Sequence, residues 1–429
     1  MKAACLIAIS CLTATQLVAA PLVTSSEETH ARACLAREAE PTRLIAMCDT
    51  ALTQARLTQS QRVELQIARG DAQLWSDAYD QAEASYRAAL EIDPTAVEAW
   101  NGLGWVLWDT SGYNEAFEAF STSVSIGVSV QGLSGQAASG RGLGAISGHE
   151  ARQMLEAALA IDPDYTWARR EIGWSFLDEG RADEAEIAFR LAIEADAYDF
   201  NARYGIGRAQ LSAGNAEAAL NTFNDILAEG TNDFGSRVYR VIALRTLDRN
   251  AQALREADRL ITDFPDSTSG YVERGKALLG LQRREEAIEN FKTADMALGP
   301  NNVILYWYAD ALAADFRFEE SLKVINRGIL LDGADFSDHL LKSYIALELE
   351  DYSLSRAEAE KSIELGGDDP WAHYYIAISL VHQDDVSGGL EHFERAVETG
   401  LPSDQVGPFA SELVGAGKYV EAAQLRLKY

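Results

Sequence analysis

Residues 166–199 run TWARREIGWSFLDEGRADEAEIAFRLAIEADAYD, and the reading of this stretch decides the fold. Ile172, Gly173 and Phe176 mark one pattern of helical period, and Ala185, Phe189 and Ala192 mark a second. Between them Asp178, Glu179, Gly180 and Arg181 form a turn signal, so the stretch predicts a helical hairpin. A hairpin this short cannot bury its apolar face alone. It requires neighbours stacked on both sides into one continuous core.

Those neighbours are in the chain. Stepping from 166 by the 34-residue length of this stretch predicts units starting near 29, 63, 97, 200, 234, 268, 302, 336, 370 and 404, with one near 132 displaced by a single residue. Residues in phase with Gly173 are Gly70, Gly104, Gly207 and Gly275. Those in phase with Ala185 are Ala82, Ala116, Ala219, Ala253, Ala287 and Ala423. Small residues recur where helices must approach closely, and Tyr86, Phe120, Phe189, Phe223, Phe291 and Phe393 share one place in the second helix. Pro94, Pro163 and Pro265 fall where second helices end.

The pattern resembles the tetratricopeptide repeat family, with Trp100, Leu103, Gly104, Ala116 and Phe120 matching its helix-turn-helix most closely. The resemblance covers residues 29–429 and implies an all-α fold, a right-handed α-solenoid of about 11–12 hairpins. It further implies that first helices line a concave groove that binds a peptide or partner protein. Ala309 and Ser321 in the unit at 302, and Ser343 in the unit at 336, depart from the pattern. The family's clamp for a C-terminal carboxylate is not matched, since Asn101 is followed by Trp105 where a second Asn is wanted.

Residues 1–20, MKAACLIAISCLTATQLVAA, carry one Lys and an apolar run ending in small residues, the pattern of a secretory signal peptide. Residues 21–28 are then a short linker, and a periplasmic destination follows, with no membrane span after cleavage. Cys5 and Cys11 leave with the signal. Cys34 and Cys48 remain, either stapling the two helices of a degenerate first hairpin as a disulfide or standing as two buried thiols. Loss of Lys2 takes the formal charge from −29 to −30. Such a surface repels nucleic acid and anionic membrane, steers a basic partner in, and equally keeps a long solenoid soluble.

The compositional break is IGVSVQGLSGQAASGRGLGAISG, residues 126–148. Ala151, Leu155, Ala158 and Pro163 keep the phase beyond it, so 132–165 is a repeat whose first helix contains Gly135, Gly140, Gly142 and Gly144. Each glycine costs about 1 kcal/mol against Ala, which predicts a soft point or hinge. At the other end GKYVEAAQLRLKY starts a shortened second helix, a cap with Arg426 and Lys428 in its last turn.

Reactive chemistry is not legible. GYVERGKA, residues 270–277, imitates a phosphate loop, but Ala277 replaces the required hydroxyl and Gly275 is the small residue of a first helix. None of His30, His149, His339, His373, His382 and His392 forms a metal-ligand pair four apart; His339 and His373 share one repeat position and are groove or surface residues. The chain therefore predicts no enzyme, no cofactor and no metal site. Helical spacing instead turns Asn101, Trp105, Trp108, Arg170, Trp174, Tyr204, Arg208, Lys276, Tyr306, Tyr344, Trp371 and Tyr374 toward the groove. Aromatics among cations form a recognition surface, or alternatively pack between repeats. Two functions follow as expectations: an exported scaffold that binds a protein or peptide in envelope assembly or secretion, or a polysaccharide-binding component of an export system.

Overall fold

A computed structural model describes residues 26–54, 56–230, 232–331 and 333–429, with side chains from His30 onward. The signal segment 1–20, including Cys5 and Cys11, and linker residues 21–25 lie outside the described residues. The described residues contain twenty-four α-helices, one 3-10 turn and no strand. Two compact units divide between Ile226 and Leu227, inside one helix.

The first unit runs α1 (Ser26–Ala36), α2 (Pro41–Leu52), α3 (Gln59–Trp75), α4 (Tyr79–Ile92), α5 (Val97–Thr110), α6 (Tyr113–Ile126), α7 (Val130–Gly142), α8 (Gly148–Ile161), α9 (Thr166–Asp178), α10 (Ala182–Ala195), α11 (Phe200–Ser212) and α12 (Ala216–Ala228). The second runs α13 (Phe234–Thr246), α14 (Asn250–Asp263), α15 (Thr268–Gly280), α16 (Arg284–Leu298), α17 (Asn302–Ala314), α18 (Phe318–Ile329), α19 (Phe336–Glu348), α20 (Tyr352–Gly366), α21 (Pro370–His382), α22 (Val386–Glu398), α23 (Val406–Gly415) and α24 (Tyr419–Lys428). Within each unit, odd-numbered first helices also touch the first helix of the next hairpin, as α5 touches α7 and α19 touches α21. The first helices are therefore the closely packed row, and the second helices form the outer one.

Close packing rests on rings set against glycine. In the first unit a Cβ added at Gly173 or at Gly205 would lie 2.6 Å from the ring of Phe189, so one phenyl group is held between glycines of two successive first helices. Tyr86 is held in the same way by Gly70 and Gly102, and Phe120 by Gly104 and Gly135. Tyr86 is further fixed by donating to Asp71 Oδ1 at 2.6 Å. In the second unit Phe291 repeats the contact with Gly275. Where the small position is Ala309 or Ser343, the ring position carries Ile325 or Ala359, so one side chain shrinks as the other grows.

Each hairpin turns through one left-handed residue that closes the helix C-terminus. In the first unit Gly112, Gly144, Gly180 and Gly214 adopt it; in the second Asp248, Gln282, Phe316, Glu350 and Asp384 do so at φ between 55° and 65°. The same wrap of hydrogen bonds is kept: Arg181 N donates to Phe176 O at 2.9 Å and Arg317 N to Leu312 O at 2.9 Å.

Three features differ from the sequence reading. Helices α1, α3 and α7 begin ahead of the predicted 29, 63 and 132, because the repeat phase is carried by buried positions and not by helix ends; residues 26–28 thus belong to α1. Gly144 lies outside the glycine-rich helix, in its turn at φ +67°. Ala423 is exposed and Ala422 is buried in its place, since α23 is three residues shorter than α9 and the following helix comes round early. At the other end α1 and α2 are joined by a disulfide between Cys34 and Cys48. The closed loop of about 15 residues is worth roughly 3 kcal/mol in the chain-entropy description.

Two substitutions test this account. Gly102→Ala improves helix propensity yet drives a methyl to 2.3 Å from the anchored Tyr86 ring; urea melts should show a loss of about 1–3 kcal/mol, and an unchanged midpoint would refute the packing argument. Phe316 is exposed and sits at φ +61°. Phe316→Gly should raise stability by about 1 kcal/mol through relief of the left-handed strain, and a lower midpoint would contradict it.

Candidate functional site

The predicted groove residues all stand on first helices, and none is among the exposed residues. In the first unit Asn101 is buried and ties three elements: its Oδ1 accepts from Ser123 Oγ at 2.6 Å and its Nδ2 donates to Ser129 Oγ at 3.0 Å. Ser129 in turn caps α7 by accepting from Gly132 N at 3.0 Å. Trp105, only 8% exposed, sets its edge on Phe120 and on Trp167, both at 5.0 Å between ring centroids. Trp108 is half-buried and packs on Tyr113 at 4.8 Å.

Two repeats further on, Trp174 stands edge-on to Phe189 at 4.8 Å and lies under the Arg208 guanidinium at 5.4 Å. Tyr204 is buried between Trp174 and Phe223, at 6.2 and 6.0 Å. Arg170 pairs with Asp199 at 3.0 Å, and Asp199 caps α11 through Ala202 N at 2.9 Å. Arg141 reaches both Glu171 and Asp178. Burial pushes the Glu171 carboxyl above its usual range against the pull of Arg170 and Arg141.

The second unit has its own row. Lys276 Nζ lies 3.2 Å from Glu273 Oε1 and 4.1 Å from the centre of the Trp307 ring. Arg245 meets the same Glu273 at 3.1 Å. Arg245, Lys276, Asn250 and Trp307 line a cavity of about 310 Å³. Tyr306 packs edge-on to Trp307 at 5.1 Å. Burial, helped by Asp310, pushes its hydroxyl up to about 12. Tyr344 and Trp371 lie 6.0 and 6.2 Å from Tyr375, and Tyr374 is buried against Phe393 and Phe409. Burial first and Glu412 second push the Tyr374 hydroxyl up to about 12 as well.

The same kind of ion pair occurs separately in each row. Arg141 and Arg245 are each the twelfth residue of a first helix, and Glu171 and Glu273 are each the sixth of the next. Arg141 and Arg245 are thus each held by an acid of the following repeat.

With this geometry in place, the comparisons with known proteins can be set beside it. Sequence models described as tetratricopeptide repeat match residues 67–127, 148–200 and 176–245. The chain carries tetratricopeptide repeats over residues 67–127 and 148–245. Repeats of this family serve as protein-interaction scaffolds. The models lapse over residues 128–147, where α7 carries its glycines. A tetratricopeptide repeat-containing protein of Methanocaldococcus jannaschii is 21% identical over 329 residues, 75% of this chain and 54% of that one. The chain therefore spans about half the length of the curated relative it matches. A crystal structure of yeast Tom70 superposes with a TM-score of 0.50 at 14% identity, covering 94% of this chain and 97% of that one. A tetratricopeptide repeat protein of Parabacteroides merdae gives 0.47 at 22% identity over 59% of this chain and 99% of that one. At these identities the Tom70 likeness is one of fold.

Projection along one repeat missed several members of these rows. Trp167, Trp307 and Tyr375 belong to them, and the signal was their place in the second position or the sixth position of a first helix. It also took His373 for a groove or surface residue. His373 is buried, with Nδ1 at 3.0 Å from Nδ1 of His392, a spacing of 19 that a search for pairs four apart passes over. His339 meets Glu358 at 2.6 Å in the same register. Among the described residues no helix is long and apolar enough to cross a membrane.

The raised phenols of Tyr306 and Tyr374 give a signed pH dependence. Each folded value lies above the ordinary 10.0, so the stability they contribute is present below pH 10 and is lost as pH rises toward about 12. Denaturant midpoints should hold to pH 9.5 and then fall, with Tyr306→Phe and Tyr374→Phe flattening the decline. Equal decline in both variants would remove these hydroxyls as its source.

Proposed function

We propose that the protein is an exported scaffold that holds a basic segment of a partner protein against its first-helix rows, in the assembly of an envelope complex or in secretion. What carries the reading is recurrence: indole, phenol and guanidinium groups return at the same positions of successive first helices in a repeat class built to present that face. Large rigid aromatics bury much area at little entropic cost, which suits them to recognition. The formal charge of −29 steers a basic chain toward the surface before contact. Export is supported by the signal pattern of residues 1–20 and by the Cys34–Cys48 disulfide, which persists in an oxidising compartment.

The polysaccharide reading has less to stand on. A sugar stacks on a free indole face, whereas Trp174 carries Arg208 and Trp307 carries Lys276.

Photo-crosslinkers placed at Trp108 and Trp371 should capture a partner in the native compartment, while crosslinkers at the exposed Ile187 and Leu191 of α10 should not. Arg208→Ala and Lys276→Ala remove like charge and should not weaken capture, whereas high salt should weaken it several-fold. Capture from α10 alone, or glycan binding abolished by Trp105→Ala and Trp174→Ala, would reject the proposal. N-terminal sequencing that finds residues 1–20 retained would reject export.

A further inference from the structure

His373, in the first turn of α21, and His392, midway along α22, face each other across one hairpin of the second unit. Their Nδ1 atoms lie 3.0 Å apart and their rings are tilted by 40°. On the far side of the His373 ring, Nε2 is 3.4 Å from Asp368 Oδ1, and Asp368 is gripped in turn by Arg395. A carboxylate only accepts, so Nε2 carries the proton and Nδ1 of His373 is a bare lone pair aimed at His392. An imidazole oriented through one nitrogen by a carboxylate, with the other nitrogen left open, is how metal-ligating histidines are held.

The second lone pair comes from the partner ring. At neutral charge one proton occupies the space between the two Nδ1 atoms, donated by His392. Moving that proton to Nε2 of His392 turns a second lone pair inward, and no proton leaves the protein. For metal–nitrogen bonds of about 2.0–2.1 Å, nitrogens 3.0 Å apart subtend roughly 95° at the ion. That is the cis angle of a square or tetragonal site, tighter than a tetrahedral one. Glu360, Glu391 and Arg356 lie within electrostatic reach of His392, the two acids opposing the arginine.

We propose that His373 and His392 form a cis-chelating site for a divalent transition-metal ion of tetragonal preference, copper(II) foremost, since that ion favours such nitrogen geometry and heads the affinity order of first-row divalent metals. No cluster of three or more His, Cys, Asp or Glu suited to a metal occurs among the described residues, so the ion keeps water or a partner's group in its remaining positions. Its effect is to pin α21 to α22 beneath the Trp371, Tyr374 and Tyr375 shelf. The site does not depend on the scaffold reading and can fail or stand without it.

The test is copper(II) titration of the full chain against glycine as a competing chelator, followed by electron paramagnetic resonance. One equivalent should bind, with a signature of two imidazole nitrogens, and should raise the melting temperature. H373Q and H392Q should each lower affinity at least tenfold, remove one nitrogen from the signature and abolish the melting shift. D368N should weaken binding less than either, and H149Q, at an exposed ring elsewhere, should leave it unchanged. Because His373 is buried, H373Q is to be checked by circular dichroism; if it loses helicity, H392Q at its half-buried ring decides. Binding that survives in H392Q, or none that withstands glycine, overturns the proposal, and an unchanged affinity in D368N overturns the orienting role of Asp368.

Discussion

A phenyl ring pressed between two glycines is the contact on which the stacked helices depend. Phe189 is in the second helix of its hairpin, yet it touches Gly173 of the helix before it and Gly205 of the helix after it. A single side chain thus sets two spacings, the one within the hairpin and the one between hairpins. Removing such a buried ring costs about 3–5 kcal/mol, more than a solenoid can spare at any one interface, because each repeat is supported only by its neighbours. The glycines are what let the backbone come close enough for the ring to fill the gap. They give up helix propensity of about 1 kcal/mol each to do so.

That contact also explains why the architecture was legible and the functional face less so. Gly173 with Phe189, and Gly104 with Phe120, are a small and a large residue sixteen apart, and the pair recurs as Gly70 with Tyr86, Gly207 with Phe223 and Gly275 with Phe291. Phase is lost at the short α23, and there the sequence marks Ala423 where the fold buries Ala422. The face is harder because it depends on the rotation of one helix against the next, which the pattern within one repeat does not contain. Trp105 and Tyr374 project toward the row on a helical wheel, but their rings are taken up by Phe120 and Trp167 in one case and by Phe393 and Phe409 in the other. Trp307 was passed over beside Tyr306, though it is the ring that Lys276 covers.

The cations on these rows belong to the fold before they belong to any partner. Arg170 is spent on a helix-capping Asp199, and Arg141 and Arg245 on Glu171 and Glu273 of the following repeats. A ligand carboxylate would have to displace a partner already in place, whereas a ligand cation meets a chain with 66 acidic and 37 basic side chains. Charge therefore weighs toward the basic segment we propose, and the aromatic rings would give it surface to bury.

The glycine-rich helix α7 shows the two terms of the packing argument in opposition. Gly132, Gly135, Gly140 and Gly142 weaken it by about 1 kcal/mol each, and alone such a segment has no reason to be helical. Yet added Cβ atoms at Gly135, Gly140 and Gly142 would meet the rings of Phe120, Phe117 and Tyr113, all on α6 or at its start. The glycines are the surface on which α6 lies, and they also let Trp105 on α5 reach Trp167 on α9 across a helix with little side-chain bulk. Helicity in α7 is thus lent by its neighbours. We propose that the soft point of the first unit lies there, governed by the rings of α6 and not by the glycines alone.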